Sequence, residues 1–397
     1  MQIADRIADL GTENAFKVLA EVNKLKATGR DIISFGLGEP DFNTPENIKE
    51  AAVNAIRANY THYSPSAGTA GLREEIAKYI SATRNIPVDP EEVVVTPGGK
   101  PGIFYSILCL INPGDEVLYP NPGYPIYESI IDFVGAKSIP VPMLEEKNFS
   151  MDVGRLESLI TSRTKMIVLN SPQNPTGGII EKEDLRAIAD IVIKNDLIVL
   201  SDEIYSEMIF DGKFCSISSF PQMKERTVIL DGFSKTYAMT GWRVGYGIFN
   251  KEVAAHIANL VTNSVSCTAT FSQIASIEAL RGPQGETRKM VEIFKNRGKL
   301  ISDGLNDIKG IKCIKPKGAF YVFPNVTQAC ASLGFNSSDE LQQYLLHEGN
   351  VAVLPRSSFG KKNIGETDEY IRLSYAVSND DIIKGLDRIK KAIERKL

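Results

Sequence analysis

Lys235 lies in the segment Asp231-Gly232-Phe233-Ser234-Lys235-Thr236-Tyr237-Ala238-Met239-Thr240-Gly241-Trp242-Arg243, which holds the only tryptophan of the chain. A lysine in a loop this rich in glycine, hydroxyls and aromatics can form an imine with an aldehyde, because desolvation and a nearby cation lower its pKa. Arg243 supplies such a cation and is the residue type that binds phosphate. Asp202, in Ser201-Asp202-Glu203-Ile204-Tyr205, ends the apolar run Leu197 to Leu200. An acid there demands a cation or hydrogen-bond donors, and a structural salt bridge would meet the same demand. Thr96-Pro97-Gly98-Gly99-Lys100 leads from a strand pattern into a helix pattern, and amides at a helix start can hold an anion. By itself a Pro-Gly-Gly run is more often only a turn. In Asn170-Ser171-Pro172-Gln173-Asn174-Pro175-Thr176-Gly177 the prolines and glycine fix a turn that holds Asn174; alone, that asparagine reads as an Asx turn.

These four segments each follow a strand candidate. Short β-branched runs at Val93 to Thr96, Glu116 to Tyr119, Lys137 to Val141, Lys165 to Leu169, Leu197 to Ser201, Thr227 to Leu230 and Val244 to Phe249 alternate with helical stretches. The helix candidates are Gly99 to Ile111, Tyr124 to Val134, Leu156 to Thr161, Lys182 to Asn195 and Lys251 to Arg281, the last broken around Ser264 and Thr270. This is the pattern of an α/β fold with a mostly parallel seven-stranded sheet covered on both faces. Ligands bind at the carboxyl ends of such strands, so the four segments share one rim. A phosphate cradle, a buried acid and an imine-forming lysine on one rim are the parts that hold pyridoxal 5'-phosphate.

The two ends of the chain differ from this middle. Met1 to Arg30 reads as an amphipathic helix plus linker. After Gly282 a charged helix from Arg288 to Ile308, strand centres at Val322 and Val351 to Leu354, and a helix from Asp380 to Arg395 are expected. The expected division is residues 1–50 with 282–397 as a smaller α+β domain, and 51–281 as the large cofactor-binding domain, since single cores stop growing near roughly 250 to 300 residues.

Composition excludes several function classes. With 45 Lys plus Arg against 49 Asp plus Glu there is no broad basic surface for nucleic acid or an anionic membrane. The longest apolar run, Ile103 to Ile111 interrupted by Ser106, is too short to span a bilayer, and the opening MQIADRIADL lacks the order of a signal peptide. Five scattered cysteines (Cys109, Cys215, Cys267, Cys313, Cys330) read as reduced core thiols of a cytoplasmic chain. A P-loop, a dinucleotide fingerprint, a zinc-type histidine pair and a G-x-S-x-G elbow are all missing, and no metal site is expected.

The motifs S-K-x-x-x-M-T-G-W-R-x-G-Y, N-P-T-G, S-D-E-I-Y, G-E-P-D-F and R-L-S-Y-A, which fall in the right order from about Ile32 to the C-terminus and are together far more specific than any one, resemble those of the fold-type I pyridoxal phosphate enzymes, and within them the class I/II aminotransferases of the aspartate, aromatic and alanine type. The resemblance implies the aspartate aminotransferase-like fold and transfer of an amino group between an L-amino acid and a 2-oxo acid by a ping-pong cycle. It implies that Lys235 carries the cofactor and then moves the substrate α-proton. Asp202 would pair with the ring nitrogen, Tyr205 and Asn174 with the ring's phenolic oxygen, and Arg243 with the amides of Gly99 and Lys100 would hold the phosphate. Tyr124 would stack on the ring, and Tyr63 would reach the phosphate of a neighbouring subunit, which implies a homodimer with shared active sites. Arg372 would clamp the substrate α-carboxylate, helped by Asn174 and the backbone of Gly38, and Lys317 to Tyr321 would line the substrate pocket.

Two departures stand out. Gly232 replaces a phosphate-binding serine found in many members, and Leu10-Gly11-Thr12-Glu13-Asn14 stands where aspartate-preferring relatives often carry Lys-Pro-Ser. The second departure weighs against a dicarboxylate preference and leaves neutral, aromatic or basic donors open. Rival readings are a carbon-sulfur lyase, decarboxylase or oxidase on the same cofactor, then a non-catalytic effector-binding module, and last a nicotinamide dehydrogenase.

Overall fold

The computed structural model describes residues 3–11 and 14–396. Its central sheet has seven strands: β2 (Val93–Thr96), β3 (Glu116–Asn121), β4 (Lys137–Pro142), β5 (Thr164–Asn170), β6 (Ile198–Asp202), β7 (Thr227–Gly232) and β8 (Gly245–Ile248). They lie in the order β2-β8-β7-β6-β5-β3-β4, with β8 antiparallel to both neighbours and the other pairings parallel. All strands but β8 therefore run the same way, and their carboxyl ends make one rim. The seven expected strands agree with this sheet to within about two residues at each end, the usual uncertainty of strand boundaries.

The middle strands are apolar because helices cover both faces. Met166, Ile167, Val168 and Leu169 of β5 are at most 2% exposed, and each such burial stabilises by roughly 1.5–3 kcal/mol. The helix Lys182–Lys194 shows how the covering forms. Leu185, Ile188, Ala189 and Val192 recur at helical spacing on its buried face, with Glu183 and Asp184 in its first turn and Lys194 in its last. The expected break in Lys251 to Arg281 falls between the helices Lys251–Val265 and Thr270–Arg281.

Two small sheets complete the molecule. β1 (Ile33–Ser34) pairs in parallel with β10 (Val351–Ala352), and β11 (Leu354–Pro355) and β9 (Tyr321–Val322) flank β12 (Ile371–Ser374). The run expected as one strand from Val351 to Leu354 thus splits at Val353 and serves two sheets. The helices Gly285–Asn306 and Asn379–Glu394 pack together behind them. One core joins Phe35, Phe294, Ile301 and Ile389 to Tyr205 and Met208 beside β6, so the chain ends grip the rim of the large sheet.

The N-terminal segment forms a short 3-10 turn, Asp5–Asp9, and the helix Asn14–Ala27. Met1, Gln2, Thr12 and Glu13 lie outside the described residues, and with them part of the Leu10 to Asn14 departure. All five cysteines are unbridged; Cys313 and Cys330 are buried as expected of core thiols, whereas Cys109, Cys215 and Cys267 are only half-buried.

Candidate active site

The rim of the large sheet and the small sheets enclose a cavity of about 550 Å³. Gly38, Gly99, Lys100, Tyr124, Asn174, Asp202 all line it. So do Tyr205, Lys235, Arg243 and Arg372. Tyr63 does not: it stands 87% exposed on the loop before the helix Ala70–Arg84.

Lys235 comes three residues after β7, in a turn, and its Nζ donates to the carbonyl of Gly38 at 2.5 Å. The ammonium also lies 5.7 Å from the centre of the Phe320 ring, so one side of it is apolar. At the adjacent strand end, Asp202 is 7% exposed and accepts from the Tyr127 hydroxyl at 2.6 Å and the Ile204 amide at 3.3 Å. Burial pushes its carboxyl up to about 6, against the pull of those donors and of Lys235. Asn170, at the end of β5, binds the two loops together: its Nδ2 donates to the Asp202 carbonyl at 3.1 Å and its Oδ1 accepts from the Asn174 amide at 3.0 Å.

Arg372 projects from β12 and is 4% exposed. It donates to Asn174 Oδ1 at 3.0 Å and to the Gly36 carbonyl at 2.5 Å, and it is packed against the rings of Tyr321 and Phe359, 4.6 and 5.0 Å from their centres. Tyr205 and Tyr321 share a hydrogen bond of 2.8 Å, and burial drives the Tyr205 phenol well above its ordinary pKa.

At the other end of the cavity, the helix Gly99–Leu110 opens with Gly98 at its N-cap, and no side chain caps it. Gly98 has φ +97°, and a Cβ there would come within 2.2 Å of the Arg243 guanidinium. Only glycine lets this arginine lie against the bare helix start, where it donates to the carbonyls of Thr240 at 2.7 Å and Pro97 at 3.3 Å. Uncapped amides beside a guanidinium form an anion cradle. The Gly232 departure has a steric reason: a Cβ at that position would meet Gly245 Cα at 3.0 Å and Ile204 at 3.3 Å.

The donor set fits pyridoxal phosphate. A cradle for a dianion, a buried acid whose raised pKa falls back when a cation meets it, and a lysine between them are what its three ends require. Sequence reasoning missed Tyr127 and Asn170, which hold Asp202 in place. Tyr127 follows the motif tyrosine by three residues on the helix Ile126–Phe133, and that short spacing to a site residue was the one signal available. Among the described residues no group of three His, Cys, Asp or Glu side chains could hold a metal ion, and no helix is long and apolar enough to cross a membrane.

Comparison with known proteins agrees with the geometry. The model of the family "Aminotransferase class I and II" matches residues 30–389. The chain is 37% identical to the aspartate aminotransferase of Bacillus subtilis over 397 residues, covering all of both chains. It is 39% identical to a probable aspartate/prephenate aminotransferase of Aquifex aeolicus, over 99% of this chain and 98% of that one. The solved structure of the aspartate aminotransferase from Rhizobium meliloti superposes with a TM-score of 0.93 at 33% identity, over 100% of this chain and 99% of that one.

Proposed function

This chain belongs to the class I and II aminotransferases and is a pyridoxal phosphate-dependent amino acid aminotransferase; from that premise we propose the role of each residue, the donor and the assembly. The bound cofactor supplies an aldehyde that condenses with amino groups and a ring that draws electrons from the substrate's α-carbon. Arg243 and the amides of Gly99 and Lys100 hold its phosphate. Asp202, ionised against the ring nitrogen, keeps that nitrogen protonated, and Tyr127 keeps the carboxylate pointed at it. Tyr205 and Asn174 donate to the ring's phenolic oxygen, and Tyr124 covers one ring face. Arg372 binds the substrate α-carboxylate, with Asn174 and the Gly38 backbone beside it. Lys235 Nζ takes the α-proton from the substrate and returns it on the other side of the exchange.

Against the expectation drawn from the Leu10 to Asn14 departure, the donor carries a side-chain carboxylate, with aspartate as the best fit. One observation carries this: Lys100 lines the cavity, its ammonium 5.7 Å from the centre of the Tyr124 ring. The names of the relatives point the same way. A second reading, an aromatic or aliphatic donor, has Ala15, Phe16, Leu19 and Leu37 on the cavity wall in its favour. Initial rates with single donors separate them. Aspartate should give the highest kcat/KM, and Lys100→Met should lower it for aspartate by about tenfold or more while sparing phenylalanine. Faster turnover of phenylalanine, unchanged by Lys100→Met, would establish the second reading instead. Lys235→Ala should abolish multiple turnover with either donor, and full turnover by that variant would overturn the assignment of the base.

The assembly is a homodimer in which Tyr63 reaches the neighbouring subunit's phosphate. Its support is the exposed apolar side chains Val53, Ile56 and Tyr60, which precede Tyr63 closely in the chain, together with exposed Leu108 and Val265. Five unbridged cysteines suit the cytoplasm. Residues 51–281 form the cofactor-binding domain, and 1–50 with 282–397 the smaller one.

A further inference from the structure

Arg356 follows β11 directly and is the bulkiest side chain that is fully buried among the described residues. It does not line the cavity. A buried guanidinium is costly unless its donors are met, so the partners show what it is for. Its Nε and one terminal nitrogen grip Glu366 as a fork, at 2.6 and 2.9 Å. The remaining donors reach Asn121 Oδ1 at 3.1 Å and the Gly360 carbonyl at 2.9 Å. Asn121 ends β3 of the large sheet and answers with its own Nδ2, donating to the Lys361 carbonyl at 2.7 Å and to Asn363 at 3.0 Å. One cation thus fastens the segment 359–366 to the strand end that leads into Pro122, Gly123 and Tyr124.

That segment touches both halves of the substrate site. The Phe359 ring packs on the Arg372 guanidinium, 5.0 Å from its centre, and the Phe359 carbonyl accepts from the Gly123 amide at 3.1 Å. The residue after Gly123 is the cavity tyrosine Tyr124. From the other side, Gln173 donates to the Pro122 carbonyl at 2.9 Å, next to Asn174. We infer that Arg356 is a positioning residue for the substrate carboxylate, setting Arg372 through Phe359, with Asn121 and Gly123 anchoring the segment that carries Phe359. The inference rests on the reading of Arg372 as the carboxylate clamp. Lys235, Asp202 and Arg243 hydrogen-bond to Gly38, Tyr127, Ile204, Thr240 and Pro97 rather than to Arg356, Glu366, Asn121 or Phe359, so the effect of Arg356 falls on substrate binding.

The test uses the holoenzyme and two backgrounds. In otherwise unaltered protein, Arg356→Met should raise the KM of both amino and oxo acid substrates about 10- to 100-fold, because small displacements of an oriented group cost that much. Dissociation constants of succinate and 3-phenylpropionate, carboxylates with no amino group to react, should rise in parallel for whichever binds. The cofactor's visible band and its pH titration should stay as they are. In an Arg372→Ala background the same substitution should add less than about twofold, because the two residues act as one unit. Equal effects in both backgrounds, or a lowered Tm with unchanged KM, would reduce Arg356 to a structural role and overturn the inference. Should Arg356→Met not fold, Glu366→Gln removes the charge of the fork at constant shape, and an unchanged KM there overturns it equally. If Arg372→Ala alone leaves KM unchanged, the carboxylate reading itself is lost, a result visible in the single variant and separate from any effect of Arg356.

Discussion

Asp202 and Asp231 end or nearly end the neighbouring strands β6 and β7, and both are buried, at 7% and 2% exposure. Asp231 is answered from within the chain: it touches the Arg84 guanidinium at 2.7 Å, which Glu203 shares at 2.9 Å, and it accepts from the Gly232 amide at 2.7 Å. Asp202 is answered by a phenol and an amide. Burial pushes both carboxyls up, Asp231 to about 7 as it shares one cation with Glu203, and Asp202 to about 6. Both line the cavity; the difference is that Asp231 already pairs with the Arg84 guanidinium, whereas Asp202 is held by neutral donors and can meet a cation from outside the chain, so the same chemistry serves the fold in one place and the cofactor in the other.

The comparison can be broken in four ways. Asp202→Asn should lower kcat/KM by about a hundred- to ten-thousandfold with little change in the Tm of cofactor-loaded protein, whereas a milder loss would erase the functional half of the contrast. Arg84→Met leaves Glu203 and Asp231 buried without their cation and should destabilise by about 3–5 kcal/mol. Urea unfolding measures this, and kcat of the folded fraction should move far less than in Asp202→Asn. The third test is pH. A carboxyl that is near 4 when unfolded and about 6 when folded binds more protons in the folded state between those values. Cofactor-free protein should therefore lose up to about 3 kcal/mol as pH rises from roughly 4 to 6 through this group. The loss should be smaller by that amount in Asp202→Asn and after reloading with cofactor, and a slope unaltered by either would refute the shift. The smallest effect belongs to Tyr127→Phe, which removes one hydrogen bond to Asp202 and should cost about tenfold in kcat/KM, seen best in steady-state rates below pH 7.

What the sequence made legible follows from range. The β-branched runs of β2 to β8 are local patterns, and the rim motifs carry their glycines, prolines and charges within a few residues of one another. Arg84 and Arg356 carry no such mark. Arg84 meets partners 119 and 147 residues away, and Arg356 meets Asn121 across 235. No local spacing shows that such cations will be buried together with acids. β12 is four residues long and takes its place from pairing with β9 and β11, so its own sequence offered only the R-L-S-Y-A motif. The split at Val353 was hidden for the same reason: Val351 to Leu354 is uniformly apolar, and which sheet each half joins is decided by β1 and β12.

The most direct test of the account is a single-turnover reaction of cofactor-loaded protein with aspartate and no oxo acid, following the visible band and the released product together. The account predicts that the band is lost at a rate matching the release of one oxaloacetate per site, that Asp202→Asn slows this about a hundredfold or more, and that Lys235→Ala stops it. A band that persists while no oxo acid appears, with aspartate and with every other amino acid tried, would contradict it.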